Sequence, residues 1–408
     1  MTNRIFLHVG SPKTGTTFLQ QVLWSQREMA QEQGLMLPLT SFNDHYLGTL
    51  DVRGLADSDD APRRAAGMWK RLAAEAEAWD GNVLISHELF AGATPEQAAE
   101  ARAAFAADTE VHVVVTARDL VRQIPAEWQE HVKHRSRASY PRFVRKLQRE
   151  DPQTWFWQVQ DFASVAARWG VGLPSSRIHV VTVPPPGQPP QTLWRRFAGL
   201  LDLDADAFDN EGSRSNTSLG YEQAELLRRV NRELGERLPI PGPYPVVVKS
   251  MFAERQLSQR PGSKFGLSGE AVEFAVERSA RIVAELREMG VDVIGDLDEL
   301  VPSVDVPTAV PVRRPSNKAL LQESVAALAT LLDEYATQRQ ETLHAQRRLE
   351  NLERDMRERP VRLALLAMTA RWSWAMAARR GWWRVANLGR KAHRGSRRLR
   401  RGLSRGSA

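Results

Sequence analysis

An apolar run, a glycine-bearing turn and an amphipathic run follow one another within the first 25 residues, and this order restricts the fold more than any other feature of the chain. Ile5-Phe6-Leu7-His8-Val9 reads as a buried strand, and Phe18, Leu19, Val22 and Leu23 recur at the spacing of one helix face. Gly10-Ser11-Pro12-Lys13-Thr14-Gly15-Thr16-Thr17 therefore bridges strand and helix. A turn in that place can point consecutive backbone N–H groups outward at a helix N-terminus, where the partial positive charge favours a phosphate. Lys13 adds a point charge, and Thr16 and Thr17 add hydroxyl donors. The competing reading is a Gly/Thr turn that only caps the helix.

The pattern repeats downstream. Asn82 to Glu88, Val111 to Thr116 and Ile178 to Thr182 read as further strands. Between them the sequence predicts helices over Thr17–Gln33, Ala65–Ala78, Thr94–Ala107 and Leu120–Lys133, with Gly34–Pro38 a short strand or loop and His45 and Tyr46 in a polar connection. Further helices are expected at Thr192–Leu201, Tyr221–Arg237 and Glu270–Met289. Apolar strands alternating with helices predict an α/β fold with a central, mostly parallel sheet covered on both faces. Ligands of such sheets bind beyond the carboxyl ends of the strands, where the polar residues of the first three strands collect.

The octapeptide departs from the ATP-binding pattern G-x-x-x-x-G-K-[ST], because Lys13 precedes Gly15. Pro12-Lys13-Thr14-Gly15-Thr16-Thr17 instead resembles the 5'-phosphosulfate loop of the sulfotransferases that use 3'-phosphoadenosine 5'-phosphosulfate (PAPS), with its P-K-[ST]-G-T-T core. The resemblance implies a P-loop-like fold, PAPS as co-substrate, no metal, and a loop from Ser11 to Thr17 that holds the donor. It extends to Arg118, at the position where the family's arginine holds the 3'-phosphate; a planar, permanently charged fork suits that dianion. The family's serine eight residues on is Ala126 here. The plainer reading of Arg118 is a helix-start arginine paired with Asp119. Arg260-Pro261-Gly262-Ser263-Lys264 loosely resembles the R-K-G loop that closes over the cofactor, so Arg260, Gly262 and Lys264 are candidate contacts, with a surface turn the alternative. The polar loop Ser213 to Ser218 carries donors that could approach the same ligand.

Sulfuryl transfer asks the protein to position the reactants, to cancel charge on the leaving oxygen and to accept the acceptor's proton. The first two tasks fall to Lys13 and the loop. For the third, Ile85-Ser86-His87 matches the family's strand-K-[ST]-H segment in place and in its final two residues, and Glu88 is adjacent. Because successive strand residues face opposite ways, one of the two is expected to reach the site; His87 is favoured over Glu88, with His45 an outlying candidate. His131 and His134, one turn apart, lack a third ligand and read as a solvated helix face. The aromatics Trp155, Phe156, Trp157, Phe162 and Trp169 read mostly as core, with one or two in an acceptor pocket.

The resemblance covers residues 1–305 and implies transfer of a sulfuryl group to a hydroxyl or amine of a small molecule, glycan or lipid. A proline-rich linker follows over 306–317, then a helix-prone stretch 318–358 in which Leu321, Val325, Leu328, Leu332 and Tyr335 alternate spacings of four and three. That seam allows self-association through a short coiled coil before Arg339, Thr342 and Gln346 interrupt it. The tail 361–408 interleaves Trp, Leu and Met with thirteen Lys and Arg and no Asp or Glu. Of the whole chain's 56 basic and 49 acidic side chains, residues 1–360 thus hold 43 and 49, so the net charge of +7 belongs to the tail. Such a body is a poor nucleic-acid binder, while the tail suits an anionic membrane surface, with RNA binding or a disordered basic arm as the alternatives.

Met1 to Arg4 is too short a leader for a signal peptide, no window approaches the ~18 apolar residues of a membrane span, and there is no cysteine for a disulfide. The expectation is a cytoplasmic enzyme, peripheral at the inner membrane face if its tail anchors. Two other functions remain open from sequence: a P-loop kinase or nucleotidase, which would require magnesium, and a nucleotide-binding interaction protein without turnover.

Overall fold

A computed structural model describes residues 4–58, 62–210, 218–302 and 314–358. The tail 361–408 and most of the expected linker 306–317 lie outside these residues, as does 211–217 of the polar loop.

Six parallel strands form one sheet in the order β2-β3-β1-β4-β5-β6, with β1 at Arg4–Gly10, β2 at Leu35–Met36, β3 at Asn82–Ser86, β4 at Glu110–Ala117, β5 at Ile178–Thr182 and β6 at Asp292–Ile294. The expected α/β class is therefore the observed one. Ile5, Phe6, Leu7 and Val9 are all buried, as are Val113, Val114 and Val115, because interior parallel strands are covered on both faces. On one face Phe6, Leu84, Val114 and Val181 pack with Leu19, Val22 and Leu23 of helix α1 (Thr16–Ser25) and with Trp194 and Phe197 of a later helix, Thr192–Leu200. From β1 the chain runs out to the edge strand β2, returns to β3, then crosses to β4 on the other side of β1. The carboxyl ends of β1, β3 and β4 thus flank a topological switch point, where open α/β sheets form a crevice.

The first helix departs from expectation. It breaks at Gln26 into α1 and α2 (Arg27–Glu32), because the Gln26 side chain leaves the helix line to donate to the Asp209 carbonyl at 2.7 Å and accept from the Asp209 N–H at 2.8 Å. The connection around His45 is also a helix, α3 (Phe42–Val52), capped by Ser41, whose hydroxyl accepts from the Asn43 N–H. His45 is fully buried there: its Nδ1 accepts from the Ser86 N–H at 3.1 Å and its Nε2 meets the Pro38 carbonyl at 3.1 Å. Both ring nitrogens being committed to backbone, His45 is structural and no candidate base.

After α4 (Met68–Glu77) and α5 (Pro95–Arg102), helix α6 occupies Leu120–Lys133, the span read from sequence. Helices α7 (Tyr140–Leu147), α8 (Trp155–Gln160) and α9 (Phe162–Gly170) bury Phe156, Trp157, Phe162 and Trp169, while Trp155 stays half-exposed. The helix on Thr192–Leu200 is α10, and α11 (Tyr221–Leu234) is followed by a π-helical segment, Pro245–Gln256. Helix α12 (Glu270–Met289) packs on α6 and α9.

Helix α13 runs from Asn317 to Glu358. Residues to Ala327 belong to one compact unit, and those from Leu328 to a second. Within the first, Leu320 and Ala327 are buried and Leu321 and Val325 are exposed; within the second, Leu328, Leu332 and Tyr335 are exposed. No described helix is long and apolar enough to cross a membrane.

Candidate active site

A cavity of about 1940 Å³ opens at the switch point. Its floor is the turn after β1. Gly10 has φ +131°, and a Cβ there would lie 2.8 Å from the Glu88 carbonyl oxygen, so only glycine lets the turn press against the end of β3. Gly15 caps α1 with φ +88°, and a Cβ would meet Leu193 at 2.5 Å. No side chain among the described residues caps α1, so its first-turn amide donors have no side-chain acceptor there.

A buried polar network fixes the turn from below. Thr14 donates to the Ser11 carbonyl and meets the Thr116 hydroxyl, both at 2.5 Å; Thr116 in turn donates to the Gly10 carbonyl at 2.9 Å. His8 joins the three strand ends through Ser86 at 2.8 Å and Thr116 at 3.2 Å. Burial, helped by the nearby His87, lowers the His8 pKa to about 3, so the ring is neutral at physiological pH. Of the loop residues expected to bind a donor, Pro12, Lys13, Gly15, Thr16 and Thr17 line the cavity, whereas Ser11 and Thr14 are fully buried and shape the turn instead.

Two glutamines brace the turn from α6 and α8. Gln123 Nε2 donates to the Pro12 carbonyl at 2.6 Å and to Gln160 Oε1 at 2.8 Å, and Gln160 Nε2 donates to the same carbonyl at 3.1 Å. Gln123 also accepts from Arg118 Nε at 2.8 Å. Arg118 lines the cavity and does not pair with Asp119, whose carboxylate caps α6 through the Arg122 N–H at 2.9 Å and binds the Arg122 guanidinium. Burial, then the neighbouring Arg122, pushes the Arg118 pKa down to about 10; it stays charged at neutral pH and gains from an anion. Ala126, in the same wall, offers no hydroxyl.

His87 and Glu88 both reach the cavity. The His87 ring packs against Phe42 and Tyr46, each 5.5 Å away, and its Nδ1 accepts from the Leu89 N–H at 3.2 Å. A neutral ring that accepts at Nδ1 carries its proton on Nε2 and is there a donor. Burial lowers its pKa, opposed by Glu88 and reinforced by Arg53. Glu88 Oε2 is buried, with no hydrogen-bond partner among the described residues. The strand ends at Ser86 and Glu88 opens a short 3-10 turn, so the alternation that would turn one of the two away no longer holds.

The wall from α6 carries residues not singled out from sequence. Glu130 meets Lys13 Nζ at 2.5 Å, Lys249 Nζ at 3.1 Å, Lys133 Nζ at 3.6 Å and His134 Nε2 at 3.0 Å. Burial alone would raise its pKa, but the His134 hydrogen bond and the charges of Lys13, Lys249 and Lys133 hold it well below the carboxylate range. Glu127 is 3% exposed, and its Oε1 accepts from Gln160 Nε2 at 2.9 Å. Burial raises its pKa to about 7, against the charges of Lys13 and Arg118. His131 lies 3.8 Å from Glu127 and packs on Phe143, so it is part of the cavity wall, whereas His134, at the cavity rim, is exposed as a solvated face would have it. The spacing of Gln123, Glu127, Glu130 and His134, four, three and four, was the available signal.

The loosely matched loop behaves differently. Arg260 pairs with Glu323 of α13 at 2.6 Å, Gly262 packs against Gln223 and Gly220, and Lys264 is exposed; none of the three lines the cavity, although Ser258 and Gln259 just before them do, as does Ser218. No group of three or more His, Cys, Asp or Glu among the described residues is placed to hold a metal ion.

No protein-family model matches the chain. No curated protein matches it either. Among solved structures, the chain is similar to the crystal structure of a sulfotransferase from Alicyclobacillus acidocaldarius, at 15% identity and a TM-score of 0.38, over 70% of this chain and 96% of that one.

Proposed function

We propose that the protein is a sulfotransferase that takes a sulfuryl group from PAPS and delivers it to a hydroxyl or amine. The observation that carries the reading is the meeting of Lys13, paired with Glu130, and Arg118, held by Gln123, on one cavity whose floor is a glycine turn at the head of α1. These residues fit an anionic nucleotide: the loop from Pro12 to Thr17 suits a 5'-phosphosulfate and Arg118 a 3'-phosphate. When bound, PAPS supplies a sulfuryl group on a good leaving group.

The chain's own tasks follow from charge. The N–H groups at the head of α1 and the Lys13 ammonium stabilise negative charge on the leaving oxygen, preorganised by the network below the turn. Gln123 and Gln160 both donate to the Pro12 carbonyl, which fixes the turn. Glu88 accepts the acceptor's proton, its Oε2 being free to do so, while His87 presents an Nε2 donor that orients the acceptor or its developing charge. This inverts the order of preference read from sequence, on the ground that the Nδ1 of His87 is already an acceptor.

Calorimetric titration of the full chain with 3'-phosphoadenosine 5'-phosphate, with and without EDTA, tests the reading. Binding indifferent to EDTA supports it. Much tighter binding of ATP with magnesium than of either adenosine bisphosphate or PAPS would move the protein to the kinase class.

A further inference from the structure

Glu127 is a carboxyl on the wall of the cavity with almost no access to water and no lysine or arginine in ion-pair contact. Among the described residues its one hydrogen bond is from the Gln160 amide on α8. The charged and titratable groups facing it are Lys13 from the turn after β1, Arg118 from the turn before α6, and Glu130 and His131 from α6 itself, the last at 3.8 Å. Lys13 and Arg118 are the cations that the reading above assigns to the donor's two anionic ends. An anion that takes these cations brings negative charge to a buried carboxylate, and two like charges in a poorly solvated space favour protonation of the one that can accept a proton.

We propose that an anionic nucleotide enters this site together with one proton, and that Glu127 is the group that takes it up. The inference rests on the donor reading above. The balance is simple: the Glu127 carboxylate and one proton from solvent give the neutral carboxyl, and no bond in the ligand changes. The protonated carboxyl becomes a donor, so a repulsive neighbour turns into a hydrogen-bonding one. Burial already holds Glu127 at a pKa of about 7, so the cost of this protonation at neutral pH is small. Glu130, a turn away, does not compete for the proton in the free protein, because Lys249, Lys133 and His134 surround it along with Lys13.

The test is calorimetry of the full chain with 3'-phosphoadenosine 5'-phosphate at about pH 8, in HEPES and in Tris. The dependence of the apparent enthalpy on the buffer's ionisation enthalpy counts the protons taken up. At that pH a group of pKa about 7 is mostly ionised, so roughly 0.9 proton is expected for the wild type. In Glu127→Gln, which keeps the shape, uptake falls to near zero while binding persists. A second reading needs no variant: wild-type affinity should fall about tenfold per pH unit between about pH 8 and 9. A wild-type count of zero, a flat affinity profile, or an unchanged count in Glu127→Gln overturns the proposal while leaving the donor reading intact. Failure of the bisphosphate to bind at all overturns both.

Discussion

The Nζ of Lys13 lies 2.5 Å from Oε2 of Glu130, so a carboxylate of α6 already holds the cation that the turn presents to the cavity. An incoming anion must compete with that carboxylate. Glu130→Gln is therefore expected to tighten binding of 3'-phosphoadenosine 5'-phosphate by up to about tenfold, which corresponds to ~1.4 kcal/mol. Titration of the variant checks this, and weaker binding would mean that Glu130 serves to hold Lys13 in place rather than to occupy it.

Lys13 and Arg118 should separate in their kinetics. Lys13→Ala is expected to abolish turnover, because the ammonium acts on charge that develops during transfer. Arg118→Ala should mainly raise the bisphosphate Kd, by ~1.5 to 3 kcal/mol, the range for a hydrogen bond to a charged group. Titration and steady-state kinetics of the two variants decide it; equal loss of kcat and affinity in both would show that they act as one unit.

The two residues at the end of β3 give a discriminating pair. If Glu88 is the base, Glu88→Gln lowers kcat by about 10² to 10⁴, with the bisphosphate Kd nearly unchanged. His87→Ala, which removes a donor, costs less. A dead His87→Ala alongside an active Glu88→Gln would return the role to His87 and require its ring to be turned from the Leu89 N–H.

Much of this arrangement was legible from residue order. The strand, glycine turn and helix at residues 5–23 place Lys13, and the strand followed by Arg118 places the second cation beside it, because parallel strands from one sheet must end at the same edge. What could not be read were the partners that depend on side-chain packing. Glu130 reaches Lys13 across 117 residues of sequence, and Gln160 comes from a different helix to brace Pro12. The helix at Phe42–Val52 was hidden by Gly48 and by polar residues such as Asp44 and His45 that are buried in the fold. Along α13, Leu321, Val325, Leu328, Leu332 and Tyr335 are exposed.

Stability should rise with pH between about pH 4 and 6.5. His8 and His45 are buried and neutral, with pKa values lowered by burial to about 3 and 4 from 6.5. Their unfolded forms bind protons that the folded forms refuse, so stability is lost as pH falls from about 6.5 towards 4. Glu127 works oppositely. Its pKa is raised from 4.5 to about 7, so the folded state holds a proton that the unfolded state releases, and stability falls as pH rises from about 4.5 to 7. His112, likewise lowered by burial to about 4, acts in the same direction as His8 and His45, so the histidines outweigh the one carboxyl. Thermal melts from pH 4.5 to 8 check the shape, and Glu127→Gln should steepen the rise between about pH 4.5 and 7. A melting temperature that is flat between pH 5 and 6.5 would contradict the burial of neutral His8 and His45.

The last prediction concerns residues 361–408, which are argued from sequence alone. Trp372, Trp374, Trp382 and Trp383 alternate with Arg371, Arg379, Arg380 and Arg384, and basic density rises further to Arg405. Tryptophan favours the headgroup region of a bilayer, and each basic residue near an anionic surface contributes roughly 1 kcal/mol. We propose that this tail lies on an anionic membrane, its arginines interrupting every apolar run that would otherwise span one. A catalytic unit so attached works on acceptors held in the same surface, which favours a lipid-linked or glycolipid hydroxyl over a freely diffusing one. Co-sedimentation with vesicles containing phosphatidylglycerol at low salt should pellet the full chain, and the pelleting should weaken as salt screens the arginines. Removal of residues 361–408 should abolish it while the bisphosphate Kd stays unchanged. A truncated protein that pellets equally well would show that the tail is no anchor, and the membrane argument for the acceptor would go with it.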